Sequence, residues 1–341
     1  MQAVILVGGE GTRLRPLTYF APKQMLPIVG TAMLERVLAN LQRHGVSSAV
    51  LSLGYLPDRF IEAYPDFTIG GMPVTYAVEP EPLDTAGAIR FAAQHANIND
   101  TFIVVNGDVL TDLDVTALID FHRQRGAVGT IALHPVDDPS RFGVVPTDDE
   151  GRVVAFVEKP PRDEAPTNEI NAGTYVLEPS VLDVIEPGVR VSVERVTFPA
   201  LAAQGRLYAM ADASYWLDTG TPEAYLQAHL DILSQRREMT LEPTARDGSW
   251  LHSSAMVDPS ATLKGATIDH DCVVEAGAVI EESVLLPGSF VGAGARVTGS
   301  IVGARARVLA RATLEPTCVI GHDEVINEGG HHVNERIGGP K

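Results

Sequence analysis

The apolar run at the start of the chain passes directly into Gly8-Gly-Glu-Gly-Thr-Arg13-Leu-Arg-Pro16, which sets Gly8, Gly9, Gly11 and Thr12 just ahead of a guanidinium. Glycines lack the side chains that would keep backbone N–H groups away from phosphate oxygens. Arg13 adds a planar, permanently charged fork suited to the same group. The spacing is neither Gly-x-Gly-x-x-Gly nor Gly-x-x-x-x-Gly-Lys-Ser/Thr, which excludes the dinucleotide and P-loop fingerprints. Further on, Lys23 stands in Pro22-Lys-Gln-Met-Leu-Pro27, where the two prolines stiffen the backbone around a second cation able to reach the same phosphates. Asp108 closes Phe102-Ile-Val-Val-Asn-Gly-Asp108, at the carboxyl end of an apolar strand, where open α/β sheets bind ligands. Its hard oxygens suit Mg²⁺. Asp218, in Tyr215-Trp-Leu-Asp218-Thr-Gly-Thr-Pro222, is either a second such acid or the organiser of a turn before a helix capped by Thr221 with Pro222 in its first position. Glu158 and Lys159 are adjacent, so on a strand they would face apart; they could share one ligand only near a strand end, and Pro160 supplies that end. Asn171 offers a donor and an acceptor for hydroxyls, and Gly173 beside it allows close backbone approach.

These segments, in this order, resemble the signature of the NDP-sugar pyrophosphorylases, the sugar-1-phosphate nucleotidyltransferases, over residues 1 to about 235. The resemblance implies that Arg13 and Lys23 hold a nucleoside triphosphate and the departing pyrophosphate, with Gly8, Gly9, Gly11 and Thr12 lining the phosphates. It implies that Asp108 and Asp218 hold Mg²⁺, that Glu158 meets sugar hydroxyls, and that Lys159 meets the sugar phosphate. Arg141-Phe-Gly143-Val-Val resembles another sugar-contacting strand of the family, with Asn171 close in role. Pro82-Leu-Asp-Thr-Ala-Gly87 resembles the loop against the nucleotide base, although Asp84 stands where a glycine is common. The expected substrates are therefore a nucleoside triphosphate and a sugar 1-phosphate. Ile170-Asn-Ala-Gly173 and Val191-Ser-Val-Glu-Arg-Val-Thr-Phe-Pro199 resemble the branch that transfers guanylyl from GTP to mannose 1-phosphate. Lys23-Gln-Met-Leu-Pro27 and Trp216-Leu-Asp-Thr-Gly-Thr221 resemble instead the thymidylyl and uridylyl branches that act on glucose 1-phosphate. A non-catalytic sugar-nucleotide sensor of the same fold would not need both aspartates and both cations.

The elements that must position these residues alternate through residues 1–238. Apolar runs (Ala3–Val7, Ala49–Leu53, Val74–Val78, Phe102–Val105, Val128–Leu133, Val153–Val157, Thr174–Leu177) are separated by helical patterns over 33–44, 86–95, 115–123, 193–203 and 222–235. That alternation predicts an α/β fold, a Rossmann-like, mostly parallel sheet with helices on both faces. Residues 239–252 lose the periodicity and read as a linker. Over 253–328 a six-residue period appears, in Ile268, Val274, Ile280 and Leu286, in Val302, Val308, Leu314, Ile320 and Ile326, and in a neighbouring row of Val279, Leu285, Val291 and Val297. This predicts a small left-handed parallel β-helix, with 329–341 as a capping or loose tail.

The chain has 341 residues, more than a single core usually organises, so two domains are expected. A formal net charge of −18 argues against nucleic acid or an anionic membrane as partner, since both demand clustered Lys and Arg. An acidic protein that binds phosphates must gather its cations, and a metal ion, at one place. Two cysteines, Cys272 and Cys318, form neither a disulfide framework nor a zinc spacing, and no apolar run reaches a membrane span or a secretory signal. A cytoplasmic setting follows as the expectation. β-helix faces commonly pack together, so a homo-oligomer is expected. Long β-helices can also host acyl transfer through a histidine, which makes His270 and His322 candidates to examine, although a helix of about four coils is short for such a site.

Overall fold

The computed structural model describes residues 1–237 and 245–340. Their contacts divide them into two compact units, one of residues 1–9 and 34–216, the other of residues 10–33 and 217 onward.

In the first unit four strands run parallel, in the order Met72–Val78, Ser48–Leu53, Gln2–Leu6, Phe102–Asn106. Ala3, Val4, Ile5, Ile103 and Val104 are fully buried, the mark of strands covered on both faces, and this is why they read as unbroken apolar runs. The next strand, Glu169–Leu177, is antiparallel to Phe102–Asn106 and also to Gly129–Pro135, so the sheet is mixed beyond its parallel centre. Reversal has a consequence for the site. Because Thr174 pairs with Val105, the start of this strand, including Asn171, comes to lie at the carboxyl edge of Phe102–Asn106, just before Asp108. The register slips between Asn171 and Tyr175, a bulge in which Gly173 takes φ 75°. Short strands Gly143–Val144 and Val157–Glu158 complete that edge. The run 153–157 is thus a strand only at its end, while Leu207–Ala211, parallel to Gly129–Pro135, goes unread in the sequence. The helix Asp84–His95 buries Ala86, Ala88, Ile89, Ala92 and Ala93, and its small side chains let it pack closely on the sheet.

In the second unit, the helix Pro222–Leu233 starts as its sequence predicts, with Thr221 Oγ1 accepting from the Ala224 N–H at 3.2 Å. Three parallel sheets then stack into the small left-handed β-helix. Pairs such as Thr267↔Val284 and Val284↔Ile301 give most coils a length just short of three hexapeptides, while Ile301↔Val319 closes a coil of the full length. The missing residue shifts the phase. The interior is lined by Ile268, Val274 and Ile280, then by Leu285, Val291 and Val297, then by Val302, Val308, Leu314, Ile320 and Ile326. Val279 is therefore not an interior residue, and Leu285 rather than Leu286 follows Ile280 in the core cluster. Corner positions hold fully buried small residues, among them Cys272, Ala278, Ala295, Ala306, Ala312 and Cys318. Of the segment 239–252, residues 239–244 lie outside the described residues, and Ser249–Leu251 already pairs with the first full coil. In the tail, His331–Val333 and Arg336–Ile337 add strands to two of the sheets. Among the described residues, no helix is long and apolar enough to cross a membrane.

Candidate active site

The second unit carries Gly11, Thr12, Arg13, Lys23 and Asp218. Gly11, at φ 61°, turns the chain so sharply that an added Cβ would stand 3.0 Å from Thr18 Cγ2 and 3.3 Å from Lys23 Cβ. The base of the Lys23 side chain is therefore packed against the glycine loop. The Thr18 hydroxyl donates to the Gly11 carbonyl at 2.7 Å and locks the turn. Thr12–Leu14 make one 3-10 turn whose Leu14 is fully buried, while the Arg13 side chain remains 54% exposed. Its Nη2 lies 3.5 Å from Asp218 Oδ2, and Asp218 Oδ1 accepts the Gly220 N–H at 2.9 Å. Asp218 thus both organises the turn before the helix and faces the guanidinium. An ion pair this exposed contributes little to stability; its effect is to orient Arg13.

The first unit carries Gly8, Gly9, Gly87, Asp108, Gly143, Glu158, Lys159 and Asn171. A Cβ on Gly8 would stand 3.3 Å from Glu79 Oε1 and 3.4 Å from the Gly54 nitrogen, whereas one on Gly9 would meet nothing within 4 Å. Glu79, which the sequence reading passed over, accepts from Ser52 Oγ at 2.9 Å and from the Leu83 N–H at 3.1 Å. It follows the strand Met72–Val78 directly, at the same kind of strand end as Asp108, and that positional signal could have found it. Gly87 has a packing reason: its Cβ would fall 2.7 Å from the Val189 carbonyl oxygen, and the N–H groups of Ala86 and Gly87 donate to Val191 O at 2.8 and 3.3 Å. Asp84 adopts φ 59°, so an aspartate occupies the backbone conformation that glycine commonly supplies.

Gly143 pairs with Glu158 across the two edge strands, and its Cβ would come within 2.6 Å of the Phe156 ring and 3.1 Å of Glu158 Oε2. The strand ends at Glu158, and Lys159 turns to φ 50° while donating its N–H to Phe142 O at 3.0 Å. That turn frees the pair from strand alternation, and Lys159 Nζ lies 3.1 Å from Glu158 Oε1. Asn171 is more committed internally than the sequence implies. It donates from Nδ2 to the Tyr175 hydroxyl at 2.9 Å and accepts the Gly173 N–H at 3.0 Å, leaving one amide proton for a ligand. Burial pushes the Tyr175 phenol up, so it stays a hydroxyl. A Cβ on Gly173 would approach Asn106 Nδ2 to 2.6 Å, which sets the bulge directly on the strand end preceding Asp108. Beside it, Trp216 donates from Nε1 to Ala172 O at 2.9 Å, stacks on His134 with centroids 5.4 Å apart and meets Phe142 edge-on. This aromatic wall was not legible from sequence, because its members are far apart in the chain.

His322, weighed above for acyl transfer, has both ring nitrogens engaged: Nδ1 accepts the Ala304 N–H and Nε2 bonds Leu17 O, each at 2.9 Å. It has no lone pair left to act as a base.

Two family models match successive parts of the chain. Residues 2–235 match the family model described as Nucleotidyl transferase, and residues 246–340 match that of the GMPPB C-terminal domain. The chain is 44% identical to a mannose-1-phosphate guanylyltransferase of Mycobacterium tuberculosis over 270 residues, covering 79% of this chain and 74% of that one. It is 36% identical to a mannose-1-phosphate guanylyltransferase catalytic subunit beta of Dictyostelium discoideum, covering 77% and 73%. The solved structure of HddC from Yersinia pseudotuberculosis complexed with GMP-PN superposes with a TM-score of 0.58 at 33% identity, over 67% of this chain and 97% of that one. A glycine loop with its two cations, an acid at a strand end and a matching family model over most of the chain lead to one conclusion: the chain belongs to the nucleotidyl transferase family and is an enzyme that transfers nucleotidyl groups to sugar phosphates.

Proposed function

We propose that this enzyme joins GTP to mannose 1-phosphate, releasing GDP-mannose and pyrophosphate. The observation that carries the reading is the clustering of Gly11, Lys23, Arg13 and Asp218 within one unit, a phosphate-handling set in a protein of net charge −18. The choice of base and sugar is supported by the names of the relatives from M. tuberculosis and D. discoideum and by the guanine nucleotide bound to HddC. In the reaction a phosphate oxygen of the sugar phosphate, held by Lys159, forms a bond to the α-phosphorus of the triphosphate. The bond from that phosphorus to the β-phosphate bridging oxygen breaks, and pyrophosphate leaves toward Arg13 and Lys23. Positioning and charge neutralisation dominate such displacements, so no protein nucleophile is needed. Glu158, Asn171 and the Trp216 face orient the sugar, while Gly8, Gly9 and Thr12 leave room for phosphates beside backbone N–H groups.

The donor chemistry fits Mg²⁺, which takes one or two carboxylates and completes its shell with substrate phosphates and water. Asp218 accepts the Gly220 N–H on one oxygen and keeps lone pairs on both, and the family resemblance would make Asp108 a second carboxylate for the ion. When bound, the ion would offset charge on the phosphates. We further propose a cytoplasmic homo-oligomer assembled through β-helix faces. Pyrophosphate release from four nucleoside triphosphates against glucose and mannose 1-phosphates tests the substrate pair, with GTP and mannose 1-phosphate expected to give the highest kcat/KM. Preference for thymidine or uridine triphosphate with glucose 1-phosphate would overturn it, and full turnover in EDTA would remove the metal.

A further inference from the structure

Two side chains of the last β-helix coils reach back to the loop that bears Arg13, and all the groups concerned lie within the second unit. Arg336, on the final strand Arg336–Ile337, donates from Nη1 to the Arg13 carbonyl at 2.8 Å. His322 is fixed at both ends. The Ala304 N–H donates to Nδ1, so the ring proton sits on Nε2, which donates to the Leu17 carbonyl. Burial holds this imidazole below its ordinary value, consistent with the neutral tautomer. Close packing accompanies the bonds: a Cβ on Gly321 would stand 3.3 Å from Pro16 Cβ, and one on Gly339 would stand 3.8 Å from the Tyr19 ring. With Thr18 donating to Gly11 O, three carbonyls of the loop are held, two of them from the β-helix.

A carbonyl carries no substrate information, but it fixes the backbone from which a side chain departs. Leu14 and Leu17, both fully buried, keep the loop from rotating as a whole. What remains adjustable is the peptide orientation at residues 13 and 17, and it is here that Arg336 and His322 act. A shift of about 1 Å in a phosphate-binding guanidinium is enough to cost a large part of its catalytic effect.

We propose that His322 and Arg336 are positioning residues for Arg13, so that the last coils of the β-helix set the geometry of nucleotide handling. This rests on the function proposed above. The test uses the full chain and the variants His322→Ala, His322→Gln, Arg336→Ala and Arg336→Lys, with pyrophosphate release measured against each substrate in turn and thermal unfolding followed in parallel. The alanine variants should lower kcat/KM for the nucleoside triphosphate roughly tenfold, chiefly through KM, while KM for the sugar 1-phosphate stays within about twofold. Gln at 322 can supply both a donor and an acceptor and Lys at 336 a donor, so both should recover most of the loss. Unchanged kinetics, or both KM values rising together in step with lost thermal stability, would overturn the proposal. If the wild type released no pyrophosphate from any substrate pair, the activity reading would fall by itself. The brace would then be read by amide hydrogen exchange over residues 11–18, where faster exchange in the alanine variants supports it and unchanged exchange refutes it.

Discussion

A methyl group at position 220 would stand 2.5 Å from Arg13 Nη2 and 2.8 Å from Asp218 Oδ1. Neither neighbour can retreat without loss. Asp218 is tied to the residue-220 N–H, so the guanidinium is the group that must move. Gly220→Ala should therefore reduce kcat/KM for the nucleoside triphosphate by roughly tenfold to a hundredfold, measured as pyrophosphate release, with little change in the unfolding midpoint. An unaltered kcat/KM would mean that Arg13 does not work from this position. Arg13, Lys23, Asp108 and Asp218 were legible in the sequence because each sits in a compact local pattern. Gly220 was not, since its constraint comes from Arg13, which only the fold brings to it. Glu79 lies between these cases, being marked by its place at a strand end but by no motif.

At the scale of elements, the hexapeptide period revealed the β-helix but not its phase. A coil just short of three hexapeptides makes one of its interior spacings a residue shorter than the others, whereas the full-length coil keeps them equal, and read along the chain that looks like two competing rows. Only the ladder pairing separates the true interior from Val279. The corners follow the same geometry: where the chain turns inward there is room for little more than a methyl or thiol, hence Ala312, Ala306 and Cys318. Ala312→Leu should cost about 1–3 kcal/mol through overpacking, while Val279→Leu on the outer row should stay within about 0.5 kcal/mol. Urea unfolding monitored on both variants decides the point, and equal effects would contradict the phase assigned here. The run Thr174–Leu177 was read as a strand, but its antiparallel direction was equally illegible, because buried strands of either direction show the same apolar run.

At the scale of the whole molecule, periodicity changes near residue 238, whereas contacts group residues 10–33 and the helix Pro222–Leu233 with the β-helix. The first is a property of local sequence and the second of long-range packing. Gly30, at φ 72°, lies directly against the Trp250 ring, and the Tyr225 hydroxyl donates to Pro27 O. Charge is also a property of the whole chain. Its net −18 repels an anionic triphosphate over distances comparable to the Debye length, while Arg13 and Lys23 attract it only at contact. Raising ionic strength from about 0.01 M to about 0.15 M shortens that length from roughly 30 Å to roughly 8 Å. The diffuse repulsion is then largely screened, while the contacts made at a few ångströms are screened far less. The KM for the nucleoside triphosphate should accordingly fall as salt is raised through this range, at constant free Mg²⁺, before rising at higher salt once the contacts themselves weaken. A KM that rises from the lowest salt onward would mean that the cationic loop dominates the field at long range as well as at contact.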